Sequence, residues 1–226
     1  RPQRPTLGEM APTDEVKEEA DRMWQAVAFR AAVNKGDIQQ VDEMMADGAN
    51  PNFKMPDGSN WNVLMLAANG GHSVLVDKFT KGGKFPKVDD KDPQGFQAIM
   101  LAALKGHTGI CKSLLEKKAD ANCRNEDGET PLMQAAAEGH SDVVSLLLEA
   151  GADADALDKN DMSAIKKASR WGHVDCLRLL LPKVNQDARQ MKHCLLFGRL
   201  YNNEDIVIEM KKILEPEEPE EAIEDA

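Results

Sequence analysis

Residues 128–151 read GETPLMQAAAEGHSDVVSLLLEAG, and weaker copies of this string flank it on both sides. The pair Gly-His marks the copies, at Gly71-His72, Gly106-His107, Gly139-His140 and Gly172-His173, in steps of 35, 33 and 33 residues. A fixed period of that length is the signature of a solenoid, in which each copy is a small unit that buries its apolar face only against its neighbours. In the clearest copy Thr130 precedes Pro131, which predicts a Thr N-cap with Pro at the first helical position. Leu132, Ala135 and Ala136 then recur at helical spacing, and Gly139 ends the helix where a left-handed residue is needed. A second helix starts near Ser141, carries Val143, Val144, Leu147 and Leu148 on one stripe, and stops at Gly151. Helices of about eight or nine residues are marginal alone, so stacking has to supply their stability.

The other copies are looser. One holds Gly95, Ala98-Ile99, Ala102-Ala103, Gly106-His107, Leu114-Leu115 and Ala119-Asp120-Ala121-Asn122. Another holds Leu64, Ala67-Ala68 and Gly71-His72, and a third Ala164-Ile165, Ala168, Gly172-His173 and Leu177 to Leu181. Residues 24–52 read as an opening copy and 187–214 as a degenerate closing half-unit. The string D-G-x-T-P-L at 127–132, with A-A at 135–136, G-H at 139–140 and G-A-D at 151–153, resembles the ankyrin-repeat family. The resemblance covers roughly residues 24–214 and implies an all-α solenoid of stacked helix-turn-helix units joined by β-hairpin-like turns. The family's usual His after Pro-Leu is replaced by Met65, Met100, Met133 and Lys166, and Thr fills its turn position only at Thr130. The hydrogen bonds those residues normally make should therefore be weakened in most copies, giving a diverged array of modest stability.

Composition agrees with small helical layers, since aromatics are 4% of the chain and apolar residues 42%. The net charge is −11, of which seven acids and no base lie in residues 215–226. An acidic body argues against a nucleic-acid partner. Cys111, Cys123, Cys176 and Cys194 form no C-x-x-C pair and read as reduced thiols in a reducing compartment, neither a disulfide frame nor a zinc site. No apolar run is long enough to span a membrane. The chain begins at Arg1, which fits either an expression fragment or a processed precursor. The reduced thiols are expected in a reducing compartment, whether the cytoplasm or, if a targeting segment was removed before Arg1, an organelle interior, and the sequence does not choose between them.

The chain divides into an extended N-terminal arm at 1–12, an array with capping helices at 13–214 and an acidic tail at 215–226. Thr13 caps a long helix whose apolar positions Val16, Ala20, Met23, Trp24, Val27, Ala28 and Ala31 should cover the open end of the stack, with a docking helix as the alternative. Met191, Cys194 and Leu195, then Val207, Met210, Ile213 and Leu214, should close the other end.

No catalytic signature is present. The four Gly-His histidines sit on successive layers about 8–10 Å apart, too far to share an ion held at about 2 Å, so no metal is expected there. Asp90, Asp92 and Gly95 fit three positions of a calcium loop, but its twelfth position is Leu101 where a bidentate Glu is required. Glu126, Asp127 and Glu129 lie on a turn tip whose carboxylates should be wet and of ordinary acidity. The expectation is a non-enzyme with no cofactor.

Two rows stand out as candidate protein-binding positions. Trp61, Phe96, Glu129 and Met162 occupy the place before the Thr-Pro slot, which the resemblance puts at the hairpin tips along one edge. Leu104, Lys105, Arg170 and Trp171 precede the inner glycines, which it puts near the concave surface. Large apolar residues there suit binding anchors, with Trp61 and Trp171 packing on their own repeats as the alternative. Lys78, Lys81, Lys84, Lys87 and Lys91 form a basic strip that meets an acidic segment or is simply a solvated turn. The family resemblance implies a protein-interaction module, and the two tails point to an accessory or scaffold subunit of a larger complex. A regulatory inhibitor of an enzyme and a targeting chaperone for hydrophobic clients are the alternatives.

Overall fold

The computed structural model describes residues 14–52, 61–81, 86–185 and 188–214. The arm at 1–12, the Thr13 cap, the tail at 215–226 and Lys84 lie outside the described residues. Among the described residues six helix pairs follow one another: α1 (Asp14–Lys35) with α2 (Ile38–Ala46), α3 (Val63–Asn69) with α4 (Ser73–Phe79), and α5 (Ala98–Leu104) with α6 (Thr108–Glu116). Then come α7 (Pro131–Glu138) with α8 (Ser141–Glu149), α9 (Ala164–Trp171) with α10 (Val174–Leu180), and α11 (Ala188–Leu200) with α12 (Glu204–Leu214). The first helices pack in the order α1, α3, α5, α7, α9, α11, and α4, α6, α8, α10 and α12 form a parallel outer row. The closing copy is thus a full pair, not a half-unit.

Repetition at the sequence level becomes a continuous interior. Leu64, Ile99, Leu132 and Ile165 are buried along the inner row, and Phe79, Leu114, Leu147 and Leu180 along the outer row. Each residue fills the same slot of its layer, so one layer's apolar face covers the next. Among the described residues no strand forms. The hairpin-like turns are instead tied by single backbone bonds, Glu126 N–H to the Gln94 carbonyl (2.8 Å) and Lys159 N–H to the Asp127 carbonyl (2.9 Å).

A side-chain ladder, not read from the sequence, staples the layers. His72, His107, His140 and His173 each place Nε2 2.9–3.2 Å from a carbonyl near the end of the preceding inner helix, those of Asn34, Asn69, Leu104 and Ala137. Each ring packs against a glycine of the preceding layer. A Cβ on Gly106 or Gly139 would stand 2.5 Å from the His140 or His173 ring, and both glycines hold a positive φ as well. In the last layer Asn203 takes this place, donating Nδ2–H to the Arg170 carbonyl (3.1 Å) over Gly172. The closing copy therefore steps by 30 residues, from His173 to Asn203, and its register follows from that substitution.

Of the four inner helices α3, α5, α7 and α9, two keep a side-chain capping bond and two lack it. Thr130 accepts the Met133 N–H (3.3 Å), and Asn62, missed as a substitute, accepts the Met65 N–H (2.9 Å). Gln97 and Ser163 make no capping bond, and Gln97 Oε1 and Ser163 Oγ are buried without a partner.

Helix α1 departs from expectation in its facing. Ala26, Phe29, Ala32 and Val33 enter the core, whereas Ala20, Met23, Trp24, Val27 and Ala31 are exposed. Two interleaved apolar stripes run along this helix. Phe29 fills the slot of Leu64 because Gly36, stacked under His72, fixes the register.

Candidate protein-binding surface

The hairpin tips are held from inside by one buried position per turn. Asp92 Oδ1 accepts the N–H groups of Gln94 and Phe96, Asn125 Oδ1 accepts that of Glu129, and Asp158 Oδ1 accepts those of Asn160 and Met162. These bonds explain Asp92 better than any calcium loop does. They also fix Phe96, Glu129 and Met162 in one row.

That row is half-buried, not projecting. Trp61 donates its indole N–H to Asp92 Oδ2 (2.9 Å) and packs, like Phe96, against the core. The Trp61 carbonyl accepts from Arg30 of the first layer. Met162 is half-buried and presents no large free surface. Glu129 is the hub of a polar network. Its Oε2 accepts from Gln134 (2.6 Å) and Asn125 (2.9 Å), and its Oε1 meets Lys167 Nζ at 2.6 Å. Lys167 also meets Asp158 Oδ2 at 3.0 Å. Burial disfavours the Lys167 charge, but hydrogen bonds and charge from Glu129 and Asp158 outweigh it and raise its pKa above the ordinary lysine value. Burial likewise opposes the Asp158 carboxylate, yet the Met162 N–H, Lys167 and the Asn160 N–H hold its pKa below the usual range. The Glu129 carboxylate, expected to be wet, is largely covered, and it ties the fourth layer to the fifth.

The second row is different. Leu104 is half-buried with its carbonyl engaged by His140, and Lys105 is exposed. Arg170 is half-buried and Trp171 is 56% exposed. The Asn203 register brings Leu200 and Tyr201 to the places that Arg170 and Trp171 hold one layer earlier, and Phe197 to that of Lys167. The Arg170 guanidinium lies 5.3 Å from the ring centres of both Trp171 and Tyr201. Those rings are 6.5 Å apart, and Phe197 lies 6.4 Å from Tyr201. Arg170 Nε is buried without a hydrogen-bond partner. Sequence reading found Arg170 and Trp171 and missed Phe197 and Tyr201. The missing signal was Asn203 standing where a histidine marks the other copies.

Of the basic strip, Lys81 and Lys87 are exposed. Lys78 pairs with Asp42 of the first layer, and Lys91 Nζ reaches the Arg124 carbonyl (3.5 Å). The cysteines are all buried; burial pushes the Cys111 and Cys123 thiols up to about 12 and that of Cys176 to about 11. Among the described residues no cluster of His, Cys, Asp and Glu could hold a metal ion, and no helix is long and apolar enough to cross a membrane.

Stacked helix pairs, with a continuous inner row and a matching outer row, define a helical-repeat solenoid. A family model for ankyrin repeats (3 copies) matches residues 29–125 and 99–191, and the chain belongs to the ankyrin-repeat family. Proteins of this family are in general non-catalytic interaction modules. No curated protein matches the chain.

Proposed function

We propose that the chain is an accessory or scaffold subunit that holds a partner protein on its inner-helix face, with the energetic centre at Arg170, Trp171, Phe197 and Tyr201. The observation that carries this reading is the exposed Trp171 ring beside Tyr201, with one guanidinium held against both. Trp, Tyr and Arg are the residues in which interface energy concentrates, and a pinned guanidinium loses little freedom on binding. Its fork fits a carboxylate beside an apolar side chain of the partner. Lys105 and Leu104 extend the same row, and Trp61, Phe96, Glu129 and Met162 form the neighbouring wall.

The test is photo-crosslinking in the native source with a crosslinking side chain at position 171, then calorimetry with the purified partner. Trp171→Ala should weaken binding by about 2 kcal/mol or more, roughly thirtyfold, without lowering the melting temperature. Crosslinking to no protein, or unchanged affinity in Trp171→Ala and Arg170→Ala, would remove the patch from the function.

A further inference from the structure

The helical extension that opens the stack and the inner helix that closes it carry opposite charge and matching apolar stripes. Inner helices α3, α5, α7 and α9 are 7 or 8 residues long, whereas α1 has 22. In the register fixed by Gly36, Ala28 corresponds to Val63, where an ordinary inner helix begins. Everything in α1 before Ala28 is therefore an extension. Its described side chains from Ala20 to Gln25 are all exposed, among them Met23 (40%) and Trp24 (38%), and Val27 follows at 41%. A helical segment this short gains stability only from packing. Its first nine residues, DEVKEEADR, contain five acids and two bases.

At the other end, Leu196 of α11 occupies the slot of Met65, Met100 and Met133. The following layer buries each of those methionines to 1% exposure or less, whereas Leu196 is 53% exposed and Leu200, one turn on, 69%. Arg189, Lys192 and Arg199 rim these leucines, and all three are exposed. Helix α11 contains no acid. Terminal layers of a solenoid ordinarily turn a polar face outward. Here both turn apolar residues outward, one inside an acidic frame and the other inside a basic one.

We infer that the chain associates head to tail with a second copy, the acidic extension of α1 lying on the Leu196–Leu200 face of α11. The occupant follows from charge. Two α1 helices in the same direction, or two α11 helices, would set like charges together, whereas α1 on α11 pairs acids with bases along an apolar seam. Such a contact is heterologous, so each copy keeps one free head and one free tail. The proposed partner-binding patch, with Trp171 at the end of α9 and Tyr201 just after α11, uses other residues and is not required.

Sedimentation velocity of the full chain tests this directly. The wild type should show mass rising with concentration, and added salt should weaken the association as the rim charges are screened. Trp24→Gln/Val27→Gln blocks the head, and Leu196→Gln/Leu200→Gln blocks the tail; each variant alone should be monomeric. An equimolar mixture should form a dimer and nothing larger, because the intact tail of the first meets the intact head of the second. Lys192→Glu/Arg199→Glu, which leaves the apolar seam intact, should weaken association roughly tenfold. A wild type that stays monomeric at every concentration overturns the inference. So does a tail variant that still dimerises, which would mean α1 pairs with itself, or a mixture that stays monomeric while both variants keep wild-type helicity and melting.

Discussion

Helix α7 in the middle of the stack and α11 at its end use the same geometry with different chemistry. Helix α7 has α5 on one side and α9 on the other, and its Leu132, Met133, Ala135 and Ala136 are all within 1% of complete burial. Helix α11 packs on α9 and α12. Leu196 stands exposed in the slot of Met133, and Arg199 stands in the slot of Ala136. Where two layers press on a helix, size and shape dictate the residue, and a small side chain is compulsory at the crossing. Where only one layer presses, the outward slots are released from packing and become available for charge and contact. The family signature is sharp in the middle and blurred at both ends for that reason.

The largest test of this contrast is in the outer row. Leu147→Ala should cost about 2–5 kcal/mol, read as a lower denaturation midpoint of the whole array. Met210 fills the same slot in the last layer and is equally buried. Met210→Ala should instead uncouple α11 and α12, so an early partial transition precedes an almost unchanged main one. A single shared transition for both variants would mean that the ends are as tightly coupled as the centre.

Next comes the polar network between the fourth and fifth layers. Lys167→Ala leaves Glu129 and Asp158 facing each other without their cation and should cost about 3 kcal/mol. Its pH dependence is set by the signs of the shifts. Asp158 titrates below its ordinary value, so its contribution is full above that value and is lost as pH falls through the depressed one. Lys167 titrates above its ordinary value, so its contribution is full below that value and is lost as pH rises through the raised one. The stability gap between wild type and variant should therefore be flat through neutrality and close in strong acid and in strong base. A gap that closes near pH 6 would assign the effect to other groups.

A smaller effect belongs to the staples. His140→Ala should cost about 1 kcal/mol, the net value of one hydrogen bond, with a little more for the ring lost over Gly106. Asn203→Ala should cost about the same, although Asn203 belongs to no Gly-His pair. If Asn203→Ala is silent in urea unfolding, the 30-residue step assigned to the last layer is wrong.

Most of the architecture could be read directly, because glycine, alanine and leucine at a constant period admit few other folds. The staples could not, since a Gly-His pair states that a histidine recurs, not which carbonyl of the previous layer it meets. Helix α1 misled for a specific physical reason. Ala20, Met23, Trp24, Val27 and Ala31 form as regular a stripe as Ala26, Phe29, Ala32 and Val33, and periodicity alone does not say which stripe the next layer covers. The tip row misled differently. Trp61 has the composition of an anchor, but its indole N–H is already satisfied by Asp92, a residue 31 positions away. Arg170 and Trp171 were legible as a pair, and their context was not. Tyr201 comes from a copy whose spacing had drifted.

The smallest expected effects lie in the caps and give the finest comparison between layers. Thr130→Ala removes the bond to the Met133 N–H in the fourth layer and should lower stability by about 1 kcal/mol. Gln97 occupies the same place in the third layer, makes no cap, and keeps a buried carbonyl oxygen without a partner. Gln97→Thr should offer a side-chain acceptor to the Met100 N–H, which now bonds the Gln97 backbone carbonyl (3.1 Å), and remove that orphan oxygen, raising stability by about 0.5–1 kcal/mol. Thermal melting of the two variants beside the wild type should move the midpoint in opposite directions. A drop in Gln97→Thr would show that the longer side chain fills space that a threonine leaves empty, so that packing outweighs capping in this layer.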